Sequence, residues 1–248
     1  MAKSHSSAPR KLPRDLTEEE VHRMFQKAEE LGNLRDLKIL KLLYYFGLRN
    51  NEMCSLGREH ISLIKMVLKV EQGKGEKDRL IPVIEINPLP GEHRTIVDDL
   101  GEWIGSNTTG VLIEGDSATG TISDRHVRRI VKNYAAWAKV PKWEEIHPHT
   151  LRHSYATHLL NLGVPVAVIQ RLLGHSKIDT TMIYAHMGVE NLRTEIKKHV
   201  WIARSKKEIS GIIDAIKNEQ DPNKKLQMQN DLIIKGVMVM LGITPEKH

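Results

Sequence analysis

HPHTLRHSYATHLLNLGVPVAVIQRLLGHSKIDTTMIY, residues 147–184, is the stretch from which the rest of the chain is read. His149 and Arg152 stand three positions apart at the start of an amphipathic helix, so they share a face. Leu151, Tyr155, Leu159 and Leu162 mark a different, core-facing stripe of the same helix. Pro165 suits a first helical turn and Gly174 a C-terminal stop, which predicts a second helix between them with His175 directly after it. A third short helix then carries Tyr184. A guanidinium, two imidazoles and a phenol are thus delivered by three helix ends. That combination makes a poor core and a good phosphate site.

Two earlier stretches carry related chemistry. GLRNNE, residues 47–52, puts Arg49 just past the end of an apolar helix, with Asn50 able to cap the next short helix and Glu52 one turn on to orient the guanidinium. Alone, such an arginine reads as a surface or ion-pair residue. GKGEKDR, residues 73–79, lies between two runs of β character, Ile64 to Val70 and Arg79 to Ile84, which predicts a β-hairpin with Lys74 at its tip. A charged hairpin tip is by itself ordinary.

Taken together and in order, these elements resemble the signature of the tyrosine recombinases, the Xer and phage-integrase family. That pattern is an Arg in G-L-R-x-x-E, a Lys in a β-turn, H-x-x-R, L-G-H and a nucleophilic Tyr. The resemblance runs from about Leu16 to Leu192. It implies an α+β fold, mostly α: a tyrosine-recombinase catalytic domain with a small antiparallel sheet beside a helical core. It also implies six catalytic residues, Arg49, Lys74, His149, Arg152, His175 and Tyr184, with Glu52 in support. Lys74 is preferred to Lys77 because it matches the first lysine of the family's G-K-G pattern. Tyr155 is the next tyrosine to consider as nucleophile.

The implied chemistry is breakage and rejoining of DNA. A phosphodiester transition state concentrates charge on the non-bridging oxygens, and fixed donors aimed there are the main catalytic need. Arg49 and Arg152 offer planar forks charged at any working pH, and His175 adds a donor. Free tyrosine has a pKa near ~10; surrounding cations favour the phenolate, and His149 is placed to relay the proton. Lys74 acts as general acid on the leaving 5′-oxygen. The product is a 3′-phosphotyrosine that another 5′-hydroxyl can attack, so neither ATP nor a metal is expected as cofactor. No P-loop and no carboxylate cluster with two-metal spacing occurs in the chain.

The bulk properties agree with that reading without proving it. Of 248 residues, 40% are hydrophobic, enough for a sizeable core. Lys and Arg outnumber Asp and Glu, 37 to 31, for a formal charge of +6, which favours a polyanionic partner. Cys54 is the only cysteine, excluding internal disulfides and cysteine-rich zinc modules. No apolar run approaches the roughly 20 residues of a membrane span. With no signal peptide before the first helix either, the chain reads as soluble and cytoplasmic, a prokaryotic protein acting at the nucleoid.

Residues 1–15 read as a mobile basic arm, either a solvated tail or a contact to DNA phosphate. Thr17 and Glu20 predict a capping box, and Val21, Met24, Phe25, Ala28 and Leu31 a helical stripe. A helix through Ile39, Leu40, Leu42, Leu43 and Phe46 follows, and another is expected from Val97 to Ile104. A helix beginning at Ile122 or Ser123 buries Val127, Ile130, Val131, Tyr134 and Ala135. Its other face carries Arg125, His126, Arg128, Arg129 and Lys132, either solvated or, with Lys77, contacting DNA. The catalytic domain is expected over 16–201 and a helical extension over 202–248, with separate helices around Val189 to Trp201 and from Lys206, and Asp221-Pro222 as a hinge.

Rival readings are a non-catalytic DNA-binding relative, a supercoil-relaxing topoisomerase using the same chemistry, and a metallohydrolase built on His147, His149, His153 and His158. The last lacks HExxH and a paired carboxylate. One departure from the family matters. Its members usually carry a helical core-binding domain before the catalytic one, whereas Leu16 enters the catalytic domain almost at once. The expectation is a fragment or half a clamp, binding double-stranded DNA weakly and with salt dependence. The partners expected are double-stranded DNA and further copies of the chain, a tetramer on DNA and a dimer or monomer without it; no membrane partner is expected. The stripe Ile209, Ile212, Ile213 and Ile216 either folds back on its own domain or packs in trans, the second being favoured.

Overall fold

The computed structural model describes residues 14–71, 78–85, 94–115, 120–174 and 188–241, with side chains up to 233. The chain folds as two compact units. One holds the described residues up to Leu56 and from Val111 to Thr157; the other runs from Gly57 to Gly110 and from His158 onward.

The first unit is helical. Helix α1, Glu18–Glu30, starts in the expected capping box: Thr17 Oγ1 accepts from the Glu20 N–H at 3.1 Å, and Glu20 Oε2 from the Thr17 N–H at 2.9 Å. Val21, Met24, Phe25 and Ala28 are buried as expected, but Leu31 is 56% exposed because it is the C-cap, where the helical period ends. Helix α2, Leu34–Tyr45, is buried on nearly all sides and forms the centre of the unit. Helix α3, Asn50–Cys54, follows α2 closely. Helix α5, Asp124–Trp137, packs its expected apolar face against α1, α2 and α3. Helix α6, Pro148–Asn161, begins in this unit. Edge-on contacts of Tyr44 with Phe25, at 6.0 Å, and with Tyr155, at 5.9 Å, link α1, α2 and α6. Ser154 on α6 is fully buried; its hydroxyl accepts from the Leu16 N–H and donates to the Thr150 carbonyl, both at 2.8 Å.

The second unit contains the sheet. Strands β1 (Ile61–Ser62), β2 (Val67–Val70) and β3 (Arg79–Pro82) form an antiparallel meander in the order β1-β2-β3. Val70 pairs with Arg79 and Leu68 with Ile81, so Leu68 and Ile81 share the buried face. The pairing of β2 with β3 is as expected; β1 is not, and Ile64 is no strand residue. Ile64 sits 98% exposed in the turn between β1 and β2. Helix α4, Ile96–Ile104, and helix α7, Val166–Leu173, complete the smaller elements, α7 entered at Pro165 and closed by Gly174.

Helix α8, Val189–Asn218, is one continuous helix of 30 residues where two were expected. Only helical backbone separates Trp201 from Lys206; no glycine or proline interrupts that stretch. Helix α9, Pro222–Leu241, then packs along α8. The expected hinge is an ordinary helix start, with Asp221 Oδ1 accepting from the Asn223 N–H at 2.9 Å and Pro222 in the first turn. Ile216 is buried, while Ile213 remains 38% exposed. No helix among the described residues is long and apolar enough to cross a membrane.

Arg193 ties α8 to the sheet. Its Nη2 donates to the Lys65 carbonyl at 2.8 Å and the Met66 carbonyl at 2.5 Å, and its Nη1 to Glu190 at 2.8 Å. Met66 has φ of 51°, a left-handed conformation unusual for a side chain of its size. The guanidinium thereby holds a strained turn in place. Replacing it, Arg193→Met, should lower stability by about 2 kcal/mol. Urea unfolding measures this, and the same loss from Arg193→Lys would show that the bidentate fork matters.

Candidate active site

The site grows from a backbone turn. Helix α2 stops at Phe46, and Gly47 adopts φ of 53°, which reverses the chain at little steric cost. Arg49 then serves as N-cap of α3, the position expected for Asn50. Its backbone N–H is accepted by Glu52 Oε2 at 2.7 Å, an acidic side chain satisfying the orphan donor of a helix start. Asn50 does other work. Its Nδ2 donates to Asp124 Oδ2 at 2.6 Å and to the Asp124 carbonyl at 3.1 Å, latching α3 to the start of α5.

Glu52 collects both arginines. Arg49 Nη1 donates to Glu52 Oε1 at 3.2 Å, and Arg152 Nη1 lies 3.9 Å from Glu52 Oε2. Arg152 reaches across from α6 and also donates to the Gly47 carbonyl at 2.5 Å. The Glu52 and Arg152 side chains are buried, while that of Arg49 is 28% exposed. Two cations that would repel one another are thus held together by one carboxylate. Arg49, Glu52 and Arg152 are brought into one cluster.

His149 is exposed near the start of α6. Its ring stands edge-on to His147, centroids 5.9 Å apart. Burial, then the nearby His149 and Arg128 charges, hold the His147 imidazole below its ordinary pKa, so it stays neutral at neutral pH. The Thr150 hydroxyl accepts from the His147 N–H at 3.3 Å. His153 is exposed and His158 is buried, and no group of three or more potential ligands among the described residues could hold a metal ion.

Tyr155 does not suit a nucleophile. It is a core residue whose phenol is pushed well above its ordinary pKa by burial. Lys74, Lys77, His175 and Tyr184 lie outside the described residues. On α5, Arg125, Arg128, Arg129 and Lys132 all face solvent. Arg128 Nε is 2.7 Å from Asp124 Oδ1, and Lys132 Nζ lies 5.6 Å from the centre of the Trp143 ring. Sequence reasoning missed the Asn50–Asp124 latch and the Gly47 acceptor. The glycine in GLR was the available signal for the second; nothing marked the first.

Residues 14–191 match the phage integrase family. The chain belongs to that family. It is 38% identical over 194 residues to a tyrosine recombinase of Thermosipho africanus, covering 78% of this chain and 64% of that one. It is 36% identical to tyrosine recombinase XerA of Pyrococcus horikoshii, covering 77% of this chain and 62% of that one. It therefore spans a little under two thirds of these relatives. A crystal structure of XerA recombinase superposes with a TM-score of 0.56 at 27% identity, covering 77% of this chain and 66% of that one. As an integrase-family member, the chain has the mostly helical catalytic-domain fold with a small antiparallel sheet.

Glu52 is central to this family member's cluster. Glu52→Ala should destabilise the fold by about 3 kcal/mol, because it leaves the Arg152 guanidinium buried without its carboxylate. Glu52→Gln should cost less, since the amide oxygen still accepts one donor. Thermal unfolding of the two variants tests the order; equal, negligible losses would mean that Glu52 is not what gathers the arginines.

Proposed function

We propose that this chain is a site-specific DNA recombinase that cuts and rejoins double-stranded DNA through a 3′-phosphotyrosyl intermediate. The observation that carries the reading is the gathering of Arg49 and Arg152 on Glu52. A surface arginine needs no buried carboxylate to hold it. Two fixed guanidiniums held together match a tetrahedral phosphate with two non-bridging oxygens. The family's relatives named as tyrosine recombinases support the reaction class.

In this reading Tyr184 Oη attacks the phosphorus as the bond to the 5′-oxygen breaks, and Lys74 supplies that oxygen with its proton. Arg49, Arg152 and His175 stabilise the charge on the phosphoryl oxygens, and His149 takes or relays the tyrosine proton. One phosphoester replaces another, so the step conserves bond energy and needs no ATP. Two guanidiniums supply the charge that a metal ion would otherwise bring. The exposed cations Arg125, Arg128, Arg129 and Lys132, together with Lys77, contact the DNA backbone. The cytoplasm, at the nucleoid, is where such an enzyme meets its substrate.

Tyr184→Phe should bind nicked duplex DNA and form no covalent adduct on a denaturing gel. Arg49→Ala and Arg152→Ala should each lose about 10²- to 10³-fold in cleavage. Lys74→Ala should recover on DNA carrying a 5′-bridging sulfur, which leaves without a proton, and chelator should leave wild-type cleavage unchanged. Adduct surviving in Tyr184→Phe, or strong inhibition by chelator, would refute the scheme.

Exchange between two duplexes cuts four strands, and a tetramer on DNA supplies one tyrosine for each. Support comes from α9, where Leu226 is 58% and Ile233 64% exposed and the pair lies on one helical face. A chain ending at Asn218 should form smaller assemblies on DNA in sedimentation experiments than the full chain. Unchanged assembly with lower stability would make α9 a purely intramolecular element.

A further inference from the structure

The return strand of the hairpin and the end of α7 meet through one side chain. Arg79 opens β3, opposite Val70, and its Nε donates to the Leu172 carbonyl at 3.1 Å. That carbonyl is among the last four of α7, which have no intrahelical donor. The Arg79 stem also covers Gly174. A Cβ added to Gly174 would come within 2.8 Å of Arg79 Cδ and 3.2 Å of Nε and Nη1. Gly174 has φ of 69° and ψ of 43°, and its N–H closes the helix on the Arg171 and Gln170 carbonyls. The glycine supplies the left-handed backbone, and Arg79 fills the space beside it. The residue after it in the chain is His175, and five residues before Arg79 is Lys74.

We propose that Arg79 is a positioning residue for His175: by clamping the C-cap of α7 it fixes the point from which the chain leaves for His175 and ties that point to the strand that follows Lys74. The proposal rests on the roles given to His175 and Lys74 above. A guanidinium suits the task. Its positive charge complements the negative end of α7, and its planar fork loses little freedom on binding. Displacement of a catalytic donor by about 1 Å is enough to cost about 10²-fold in rate. The hairpin and the LGH turn lie far apart in sequence, so a shared anchor would make the general acid and the imidazole donor respond to one constraint.

The test is a double-mutant cycle on the full chain, using single-turnover cleavage of a nicked duplex with affinity measured over a salt series. Arg79→Met keeps the stem over Gly174 and removes the donors. It should slow cleavage about 10- to 100-fold while leaving DNA affinity and its salt slope unchanged. Arg79→Lys, which still brings a cation to the Leu172 carbonyl, should recover part of the loss. In a His175→Ala background, Arg79→Met should add less than about twofold. Multiplying losses would overturn the proposal, and so would a salt slope lowered by about one with weaker binding, the mark of a direct phosphate contact. Should Arg79→Met fail to fold, Arg79→Lys replaces it in the cycle. If the wild-type chain formed no adduct, the recombinase reading would fall and this proposal with it. Adduct formation with multiplying losses would remove the positioning role alone.

Discussion

Two guanidiniums in one place repel, and the carboxylate of Glu52 is what holds them there. It accepts from the backbone N–H of Arg49 and from its side chain, and lies opposite Arg152. Burying any of these charges alone would be costly, so the three are mutually dependent. That dependence explains the local chain path. Gly47 must turn sharply so that Arg49 begins α3, and α3 must begin there so that Glu52 falls one turn on. The Gly47 carbonyl then becomes an acceptor for Arg152.

A second pattern runs through both units. Arginines capture carbonyls at helix ends and in turns. Arg152 takes the Gly47 carbonyl just past α2, and Arg23 takes that of Ala138, the C-cap of α5. Arg79 takes the Leu172 carbonyl at the end of α7, and Arg193 those of the β1–β2 turn. Helix C-termini carry partial negative charge, so at the ends of α2, α5 and α7 the arginine satisfies a hydrogen bond and an electrostatic preference together. These arginines spend part of their charge on the fold. Other cations, among them Arg125, Arg129 and Lys132, face solvent instead.

Much of this was legible in the sequence where a local rule governs. The Thr17–Glu20 box, the start of α5 next to Ser123, the Pro165 and Gly174 limits of α7 and the buried stripe of α5 all follow from side chains acting within one or two turns. The structure revised the sequence reading where local signals compete. Asn50 has the propensity of a cap, yet Asp124 claims its amide, and Arg49 takes the capping position. Ile64 has strand character, yet Met66 turns the chain in the left-handed region and leaves it outside. One helix runs through Trp201 to Asn218 because nothing in that segment breaks it.

By itself the sequence determined which residue types the candidate site offers, their order along the chain and several of the helix limits around them. Those depend on spacing and on backbone rules that act over a few residues. Only the tertiary structure decided which partners each residue has. That Glu52 also lies against Arg152, that Tyr155 is sealed against Tyr44, and that Arg79 closes α7 are contacts between segments remote in sequence. Burial and long-range pairing set them, and neither leaves a mark in local periodicity, because a side chain's neighbours across the core are chosen by the packing of whole elements.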